Sequence, residues 1–364
     1  MRNKAFITCI LILLLVSIGC SSLSTGNNIP DGIHSLEGSP IQYQIEMPQN
    51  FQMAVDIQSV YYPKEVRRYA RETAESSEQS IKDMLSKQNS AGVYRINIQN
   101  RAILVRDTNS KTYSRLINLS RTTPGVGTQT NAFNGAINNE DYRMWADLEG
   151  LPPLEGVLKK LDELMISSKL EGFVAIEAYA LDAATLKTHD LILAQYRNSH
   201  LAEGVTPYLP YDWTEDDSCY LIIYNYQVDG IPVFYQKNLS YGKEIIPLTY
   251  AYAFYGKEGL ICLEAYGLYG TMHEESFAIP ISVTEILNVF LSEIKTTIQV
   301  EGTELFSIEL CYLPEISKEG VHLIPIWTFE VSYPNSEAGK VGQDLYNRSV
   351  YIYDAISGEK YDVR

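Results

Sequence analysis

The stretch that decides the fold runs from residue 283 to residue 331: VTEILNVFLSEIKTTIQ (283–299), LFSIELCYL (305–313) and HLIPIWTFEV (322–331). Ser282 and Glu285 form a capping box in front of the first segment, which predicts that a helix begins there. The later segments are rich in β-branched and aromatic residues, which favours strands. Together they predict a helix laid on an antiparallel sheet. One apolar stripe at helical spacing would face that sheet: Ile286, Leu287, Phe290, Leu291, Ile294 and Ile298.

The same order of elements occurs once before. LEGVLKKLDELMISSK (154–169) predicts a helix, FVAIEAYAL (173–181) and HDLILAQYR (189–197) predict strands, and each copy ends in a hairpin, at 219–236 and at 349–363. Tight-turn dipeptides, Asp229-Gly230 and Ser357-Gly358, lie in these hairpins. The two copies indicate an internal duplication. We therefore predict an α+β fold class, with tandem modules that each pack a helix on an antiparallel β-sheet.

The remaining chain predicts a separate N-terminal unit and a connecting strand pair. Residues 51–62 alternate like a strand, and Pro63 opens a predicted helix that reaches about residue 88. YRINIQ and RAILVRD then read as two strands, before an aperiodic segment at 122–139 that predicts an exposed loop. Residues 247–255 and 259–269 predict a further strand pair. The predicted domains are an N-terminal α+β domain at 46–150 and two modules at 151–240 and 241–364.

The first twenty residues are typical of an export signal. Arg2 and Lys4 precede the apolar run ILILLLV, which is too short to span a bilayer as a helix. The sequence Ser17-Ile18-Gly19-Cys20 that follows resembles a bacterial lipobox. That resemblance implies a signal peptide at 1–19, lipidation of Cys20 and a flexible tether at 20–45. It implies a protein anchored by its lipid to the extracytoplasmic face of the cell membrane. An ordinary secretory signal cleaved nearby is the alternative.

Composition excludes several classes of partner. The 364 residues include 45 acidic and 29 basic side chains, with a formal net charge of −16. Such a charge argues against nucleic-acid binding and against adsorption on anionic lipid. Beyond the signal region, Cys219, Cys262 and Cys311 are far apart and lie in apolar, strand-like contexts. We expect buried, inert thiols there, with no disulfide framework and no zinc site.

Several residues of the second half carry a family resemblance. Asp229-Gly230-Ile231-Pro232, Pro325-x-Trp327 and the turn from Ala355 to Glu359 resemble PepSY-like modules of Gram-positive surface proteins. They are also similar to the Yyc-type membrane-anchored regulators of a cell-wall histidine kinase. The resemblance covers about residues 150–364 and implies a non-enzymatic regulatory role at the cell envelope. Those regulators carry a transmembrane helix, so for a lipid-anchored chain kinase regulation is an analogy of fold.

A search for catalytic patterns predicts no enzyme. His273-Glu274-Glu275 has no second histidine at helical spacing and is expected to form a charged turn, and His189 and His322 are expected at strand edges. The acidic groups and the start of a calcium-like loop are incomplete as sites: Glu215-Asp216-Asp217, the set Asp354, Glu359 and Asp362, and Asp107-x-Asn109. No catalytic residue, metal or cofactor is predicted.

Tyrosine is the unusual feature, with 27 residues. Alternation places Tyr220, Tyr224 and Tyr226 on one face of a strand, and Tyr250 and Tyr252 with Phe254 on another. These tyrosines, with Tyr235, are either cross-strand packing pairs or a partly exposed recognition surface. The leading hypothesis is a non-enzymatic lipoprotein that binds a protein or another envelope component. The alternatives are a solute- or glycan-binding lipoprotein and an envelope hydrolase.

Overall fold

The computed structural model describes residues 47–57, 60–61, 63–73, 78–87, 93–99, 102–113, 115–116, 143–168, 170, 172–199, 201, 204–234, 240–241, 244–245, 249–267, 269–296, 300–317, 320–334 and 346–361. Cys20, the predicted tether, the predicted loop at 122–139, Tyr235, Ile298 and Asp362 lie outside these residues. The elements are β1 (Phe51–Met53), β2 (Val66–Thr73), α1 (Glu78–Lys87), β3 (Tyr94–Gln99), β4 (Ala102–Asp107), β5 (Arg143–Met144), α2 (Leu154–Ser167), β6 (Phe173–Leu181), α3 (Ala183–Ser199), β7 (Cys219–Val228), β8 (Ile231–Pro232), β9 (Ser240–Tyr241), β10 (Glu244–Ile245), β11 (Tyr250–Gly256), β12 (Gly259–Tyr266), β13 (Tyr269–Ala278), α4 (Val283–Ile294), β14 (Thr303–Ser317), β15 (Gly320–Pro334) and β16 (Tyr346–Asp354).

Two sheets organise the protein, which confirms the α+β class. The first sheet has the order β1-β14-β15-β2-β13, with β16 also paired to β15. The second has the order β3-β4-β12-β11-β7-β6-β5, with β8 paired to the end of β7. Strands β9 and β10 form a separate pair. None of the helices in the described part of the chain combines the length and the apolar composition that a membrane span needs.

Strands from the first third of the chain contribute to both sheets. β2 lies between β15 and β13 in the first sheet, and β4 pairs with β12 in the second. The described strands of residues 46–150 therefore form no sheet of their own, and the sheet boundaries do not coincide with the boundaries that we predicted at 150 and 240. Strands of the three predicted units pair with one another because strand pairing follows the burial of apolar faces. Such burial can join segments that are far apart in the sequence.

Each sheet has a helix on one face. On the first sheet, Phe290 of α4 stacks on Phe329 of β15 with ring centroids 4.5 Å apart, and Trp327 is fully buried. The capping box at Ser282 and Glu285 is present. On the second sheet, α2 packs through Val157 with alanines and tyrosines of β6, β7 and β11. The opposite face of the second sheet is covered by α3 and the segment at 208–213.

Some predicted elements are wrong. Residues 189–197, which we expected to form a strand, belong to helix α3, where Leu186, His189, Asp190, Leu193 and Ala194 are buried at helical spacing. The backbone N–H of Thr185 donates to Asp182 Oδ1 at 2.8 Å, a cap that the alternation of apolar residues concealed.

Further predictions about the N-terminal region and the histidines are also wrong. The strand expected at 51–62 ends at Met53, and the helix expected from Pro63 is strand β2 followed by α1. Pairing of β2 with β13 and β15 overrides the local helix signal there. His273-Glu274-Glu275 lies within β13, where a turn was expected. His322 lies within β15 opposite Glu315, and His189 lies in a helix, so neither opens a strand.

Candidate binding site

A cavity of about 330 Å³ lies where the two sheets meet. Its floor is the stretch of β14 from Phe306 to Leu310, and its walls come from the chain after β1 and from the β7–β8 hairpin. Tyr61, 40% exposed, lies at the opening. Most of the lining residues are of apolar type, one is a carboxylate, and about half of the exposed lining surface is polar: Val55, Val60, Tyr61, Gly230, Pro232, Phe306, Ser307, Ile308, Glu309 and Leu310.

The β7–β8 hairpin carries the second wall of this cavity. Asp229 and Gly230 have φ values of 52° and 77°, as a two-residue hairpin turn of the mirror-image type requires. Asp229 accepts a hydrogen bond from the Tyr69 hydroxyl of β2. After the turn the chain leaves β7 and reaches the first sheet, where Val233 pairs in parallel with Tyr312. The hairpin is therefore one of the connections between the two sheets.

Three tyrosines surround the Asp229 carboxylate. The rings of Tyr69 and Tyr312 meet edge to face with centroids 5.8 Å apart. Burial, and then the bond to Asp229, raises the pKa of Tyr69, and burial raises the pKa of Tyr312 to about 12. Burial and the charge of Asp229 also raise the pKa of Tyr61. All three phenols stay protonated at neutral pH, so their hydroxyls can donate hydrogen bonds.

One edge of β14 is paired near the start of the strand and again at Tyr312. The backbone N–H of Ala54, just after β1, donates to Leu305 O at 2.9 Å, and that of Phe234 donates to Tyr312 O at 2.7 Å. Between these bonds, residues 307–311 pair with β15 on the other side, and Phe306 forms a β-bulge. Among the described residues no strand pairs with them on the cavity side. The floor of the cavity is thus a short free edge inside a sheet.

The alternation of β14 shows which backbone groups face the free edge. Glu309 O accepts from Thr328 Oγ1 of β15 at 3.3 Å, so the backbone groups of Glu309 point to β15. Tyr312 O points the other way, toward Phe234. Because backbone groups alternate along a strand, those of Ile308 and Leu310 face the cavity side.

The outer face of β14, away from α4, is acidic beside this edge. Glu309 is exposed, and Glu330 of β15 lies half-buried on the same face. Burial, and then the nearby Glu309 carboxylate, raises the pKa of Glu330, while Arg348 opposes this rise. The Arg348 guanidinium stacks over the Phe306 ring at 4.9 Å. A cation placed beside Glu309 would therefore meet two carboxylates.

The predicted tyrosine surface is wrong for most of its members. Tyr220, Tyr224, Tyr250 and Tyr252 are buried, and only Tyr226 is half-buried, against Phe173 at a centroid distance of 5.0 Å. Their predicted assignment to two faces is confirmed, since Tyr220 and Tyr224 belong to the core under α2 and the other pair to the core under α3. They are packing residues because both faces of the second sheet are covered.

Three buried polar clusters outside the cavity hold the fold together. Asp190 accepts from Tyr208, Tyr211 and Trp213. Glu264, fully buried, pairs with Arg106 at 2.9 Å and accepts from Tyr266 at 2.7 Å. Asp217 accepts from Thr112 and Thr214 and pairs with Arg115. Within the described residues no group of histidine, cysteine and acidic side chains has the geometry of a metal site. The three predicted buried thiols are confirmed, and burial raises the pKa of each.

The β7–β8 turn is the part of the site that the sequence predicts. The Asp229-Gly230 dipeptide is a local signal, whereas Tyr61, Phe306 and Glu309 reach the cavity through the pairing of β1 with β14. A β-bulge between Leu305 and Ser307 marks the start of the free edge. That bulge depends on the partner strand, so the sequence carries no separate signal for it.

Comparisons with known proteins define similarity of fold alone. The sequence matches no family model and no curated protein. A crystal structure of an uncharacterized protein from Eubacterium rectale ATCC 33656 is similar, with a TM-score of 0.53 and 14% sequence identity. The alignment covers 83% of this chain and 87% of that one. The two proteins therefore share an arrangement of elements over most of their length.

Proposed function

We propose that this protein is a non-enzymatic lipoprotein, held by a lipid on Cys20 at the extracytoplasmic face of the cell membrane. It binds a protein or another envelope component in the cavity beside the Asp229-Gly230 turn. The observation that carries this proposal is the cavity itself, where Tyr61 lies beside the stretch of β14 that includes Phe306 and that no described strand pairs with on the cavity side. Aromatic side chains at such an opening supply large contact area with little loss of conformational freedom.

We also propose that the sheets represent two PepSY-like modules arranged in tandem. Support comes from α2 on the second sheet and α4 on the first, each followed along the chain by a strand of the sheet that it covers. The cavity then lies at the joint between modules, a common place for ligand sites. A regulatory role, such as control of a sensor kinase or another envelope protein, would act through occupancy of this joint.

The described polar side chains favour binding over catalysis. The buried carboxylates Asp190, Glu264 and Asp217 are saturated by hydrogen bonds from neighbouring elements. At the cavity, the lining contributes one carboxylate, Glu309, and no nucleophile paired with a base. A hydrolase would need an acid and a base within reach of one reacting atom.

Photocrosslinking in intact cells tests the site. A benzophenone side chain in place of Tyr61 should give a discrete adduct, because this residue stands at the cavity opening. The same side chain in place of Leu209, which is 77% exposed on the other sheet, is the matched control and should give none. Equal adducts at both positions, or none at Tyr61, would remove the cavity as the binding site.

The anchor is tested separately. Cys20→Ala should abolish incorporation of radiolabelled palmitate and should either release the protein from membranes or leave it unprocessed. The control is Cys219→Ala, which changes a buried thiol and should leave labelling unchanged. If the wild-type protein takes up no palmitate, the lipid anchor is refuted and the secretory alternative replaces it.

A small solute or glycan is the second candidate occupant. A volume of about 330 Å³ is within the range of small-molecule sites, and the Phe306 and Tyr61 rings offer faces for a sugar. A Tyr61 adduct with a small increase in mass, in place of a protein-sized one, would favour this candidate.

A further inference from the structure

We propose that the occupant of the cavity is an extended peptide segment of a partner protein, which adds to the free edge of β14 as an extra strand. This inference rests on the proposed function and specifies the chemical class of the partner. The site would take about six residues in an extended conformation, with apolar side chains on one side and a basic side chain on the other.

The backbone of β14 supplies the first argument. The N–H and C=O groups of Ile308 and Leu310 face the cavity, while β1 and Val233 occupy the same edge on either side. At roughly 3.3 Å per residue, the interval at 306–311 spans about 20 Å. Alternating donors and acceptors in a row are matched by another peptide backbone and by few other ligands.

Continuity with the existing sheet supplies the second argument. β1 pairs in parallel with β14 at Thr303–Leu305, and Val233 pairs in parallel with Tyr312. Both neighbours leave the edge at the cavity: the chain after β1 forms one wall through Val55 and Val60, and the hairpin forms the other. A peptide strand would complete an edge that is already paired on either side of the cavity.

Side-chain alternation defines the sequence that fits. Successive residues of an added strand would point to opposite faces of the first sheet. On the α4 side they would meet Val55, Val60 and Tyr61, which suit apolar side chains. On the other side they would meet Glu309, with Glu330 beyond it. Alternating apolar and basic residues satisfy both faces.

Charge supplies the third argument and excludes an anionic occupant. The lining residues that the structure describes include the Glu309 carboxylate and no lysine or arginine, and the whole chain carries a net charge of −16. On this face the Arg348 guanidinium stacks over Phe306 near Glu330. A lysine or arginine beside Glu309 would gain a carboxylate partner, whereas an anionic lipid headgroup would be repelled.

Amide exchange on the full-length mature chain tests the backbone contact. The probes are two hexapeptides of alternating valine and lysine, one beginning with valine and one with lysine, with both termini blocked. Residue-resolved NMR measures the exchange rates. At saturation the amides of Ile308 and Leu310 should exchange at least 10-fold more slowly, while the amide of Glu309, which faces β15, should not change. Each peptide is also made in two N-methylated forms, with the methyl groups on either of the two sets of alternate residues. In one of these forms the N–H groups that would donate to β14 are blocked. That one should give no protection.

Charge reversal tests the side-chain contact. Glu309→Lys should weaken the affinity for the basic peptides at least 10-fold. Glu301→Lys makes the same change at an exposed turn outside the cavity lining and should leave the affinity within twofold. Thermal unfolding of both variants checks that each is folded.

The outcomes of these experiments distinguish a failure of this inference from a failure of the proposed function. If no peptide protects Ile308 and Leu310, or if the N-methylated peptides all protect them equally, strand addition is refuted. The proposed function then survives on a discrete Tyr61 adduct in cells, whose identity names a different occupant. Protection by peptide without any Tyr61 adduct would refute the proposed function instead.

Discussion

At the scale of single residues, the buried carboxylates act as anchors for loops. Asp190 of α3 is completely buried. It accepts from the Tyr208 hydroxyl at 2.6 Å, from the Tyr211 N–H at 2.6 Å and from Trp213 Nε1 at 2.9 Å. A single side chain therefore fixes the segment at 208–213 over the second sheet, because it accepts from one buried and two part-buried donors of that segment.

Asp190→Ala should lower the free energy of unfolding by at least about 2 kcal/mol, since it removes the acceptor of one buried and two part-buried donors. Urea unfolding followed by tryptophan fluorescence measures the loss. The matched control is Asp212→Ala at the neighbouring exposed position, which should cost less than about 0.5 kcal/mol. Equal effects of the two substitutions would show that Asp190 does not anchor this segment.

His189 makes stability depend on pH. Burial lowers the pKa of His189 to about 4, against the opposing charge of Asp190, whereas the unfolded side chain titrates near 6.5. Between these values the unfolded state binds more protons, so stability falls as the pH drops from about 6.5 to about 4. The full contribution is about 3 kcal/mol. The difference in unfolding free energy between wild type and His189→Leu should therefore decrease as the pH drops from about 6.5 to about 4. A difference that does not depend on pH would contradict this prediction.

At the scale of elements, α4 is a helix that the sequence predicts and that the structure contains. Phe290 is fully buried and stacks on Phe329 at an interplanar angle of 7°. Phe290→Ala should therefore cost roughly 3–5 kcal/mol in urea unfolding. Its neighbour Val289 is 41% exposed, and Val289→Ala should cost less than about 1 kcal/mol. A cost below about 1 kcal/mol for Phe290→Ala would show that the helix does not pack on the sheet.

The β7–β8 turn offers a second test at this scale, in which a glycine of the turn is compared with a glycine of helix α2. Gly230 has φ of 77°, so Gly230→Ala should destabilise by roughly 1 kcal/mol through backbone strain. Gly156 lies in α2 with open space around its Cα, so Gly156→Ala should stabilise by about 0.5–1 kcal/mol. Thermal unfolding compares the two, and equal signs would contradict the assignment of the turn.

Elements with caps or turn residues of their own could be predicted, and those defined by distant pairing could not. The Ser282 capping box and the Asp229-Gly230 turn are local, and both are present. The run HDLILAQYR satisfies either a strand or a helix, because several consecutive residues are apolar. Its outcome as α3 depends on Asp182 as a cap and on a buried face. The free edge of β14 arises only after β1 and Val233 find their partners.

At the scale of the whole molecule, long-range pairing ties the first third of the chain to both sheets. Val66 and Tyr69 of β2 are buried in the core under α4, and Ile103 and Val105 of β4 are buried in the core under α2. Packing of α1 through Ile81 closes the second of these cores. A chain that lacked β2 and β4 would expose these faces and leave β13 without its partner strand.

Truncation follows from this arrangement. A chain of residues 143–364, which keeps both predicted modules, should show no cooperative urea transition, because it lacks β1, β2, α1, β3 and β4. A chain of residues 47–364 keeps every described element and should unfold as cooperatively as the full-length protein, with the same midpoint. Residues 47–116 added in trans should restore part of the transition, since their strands pair through backbone bonds that need no covalent link. If the 143–364 chain unfolded with a sharp transition of its own, the sheets would be self-sufficient modules. The first third of the chain would then be an addition to the fold, and the joint at Asp229 could be studied without it.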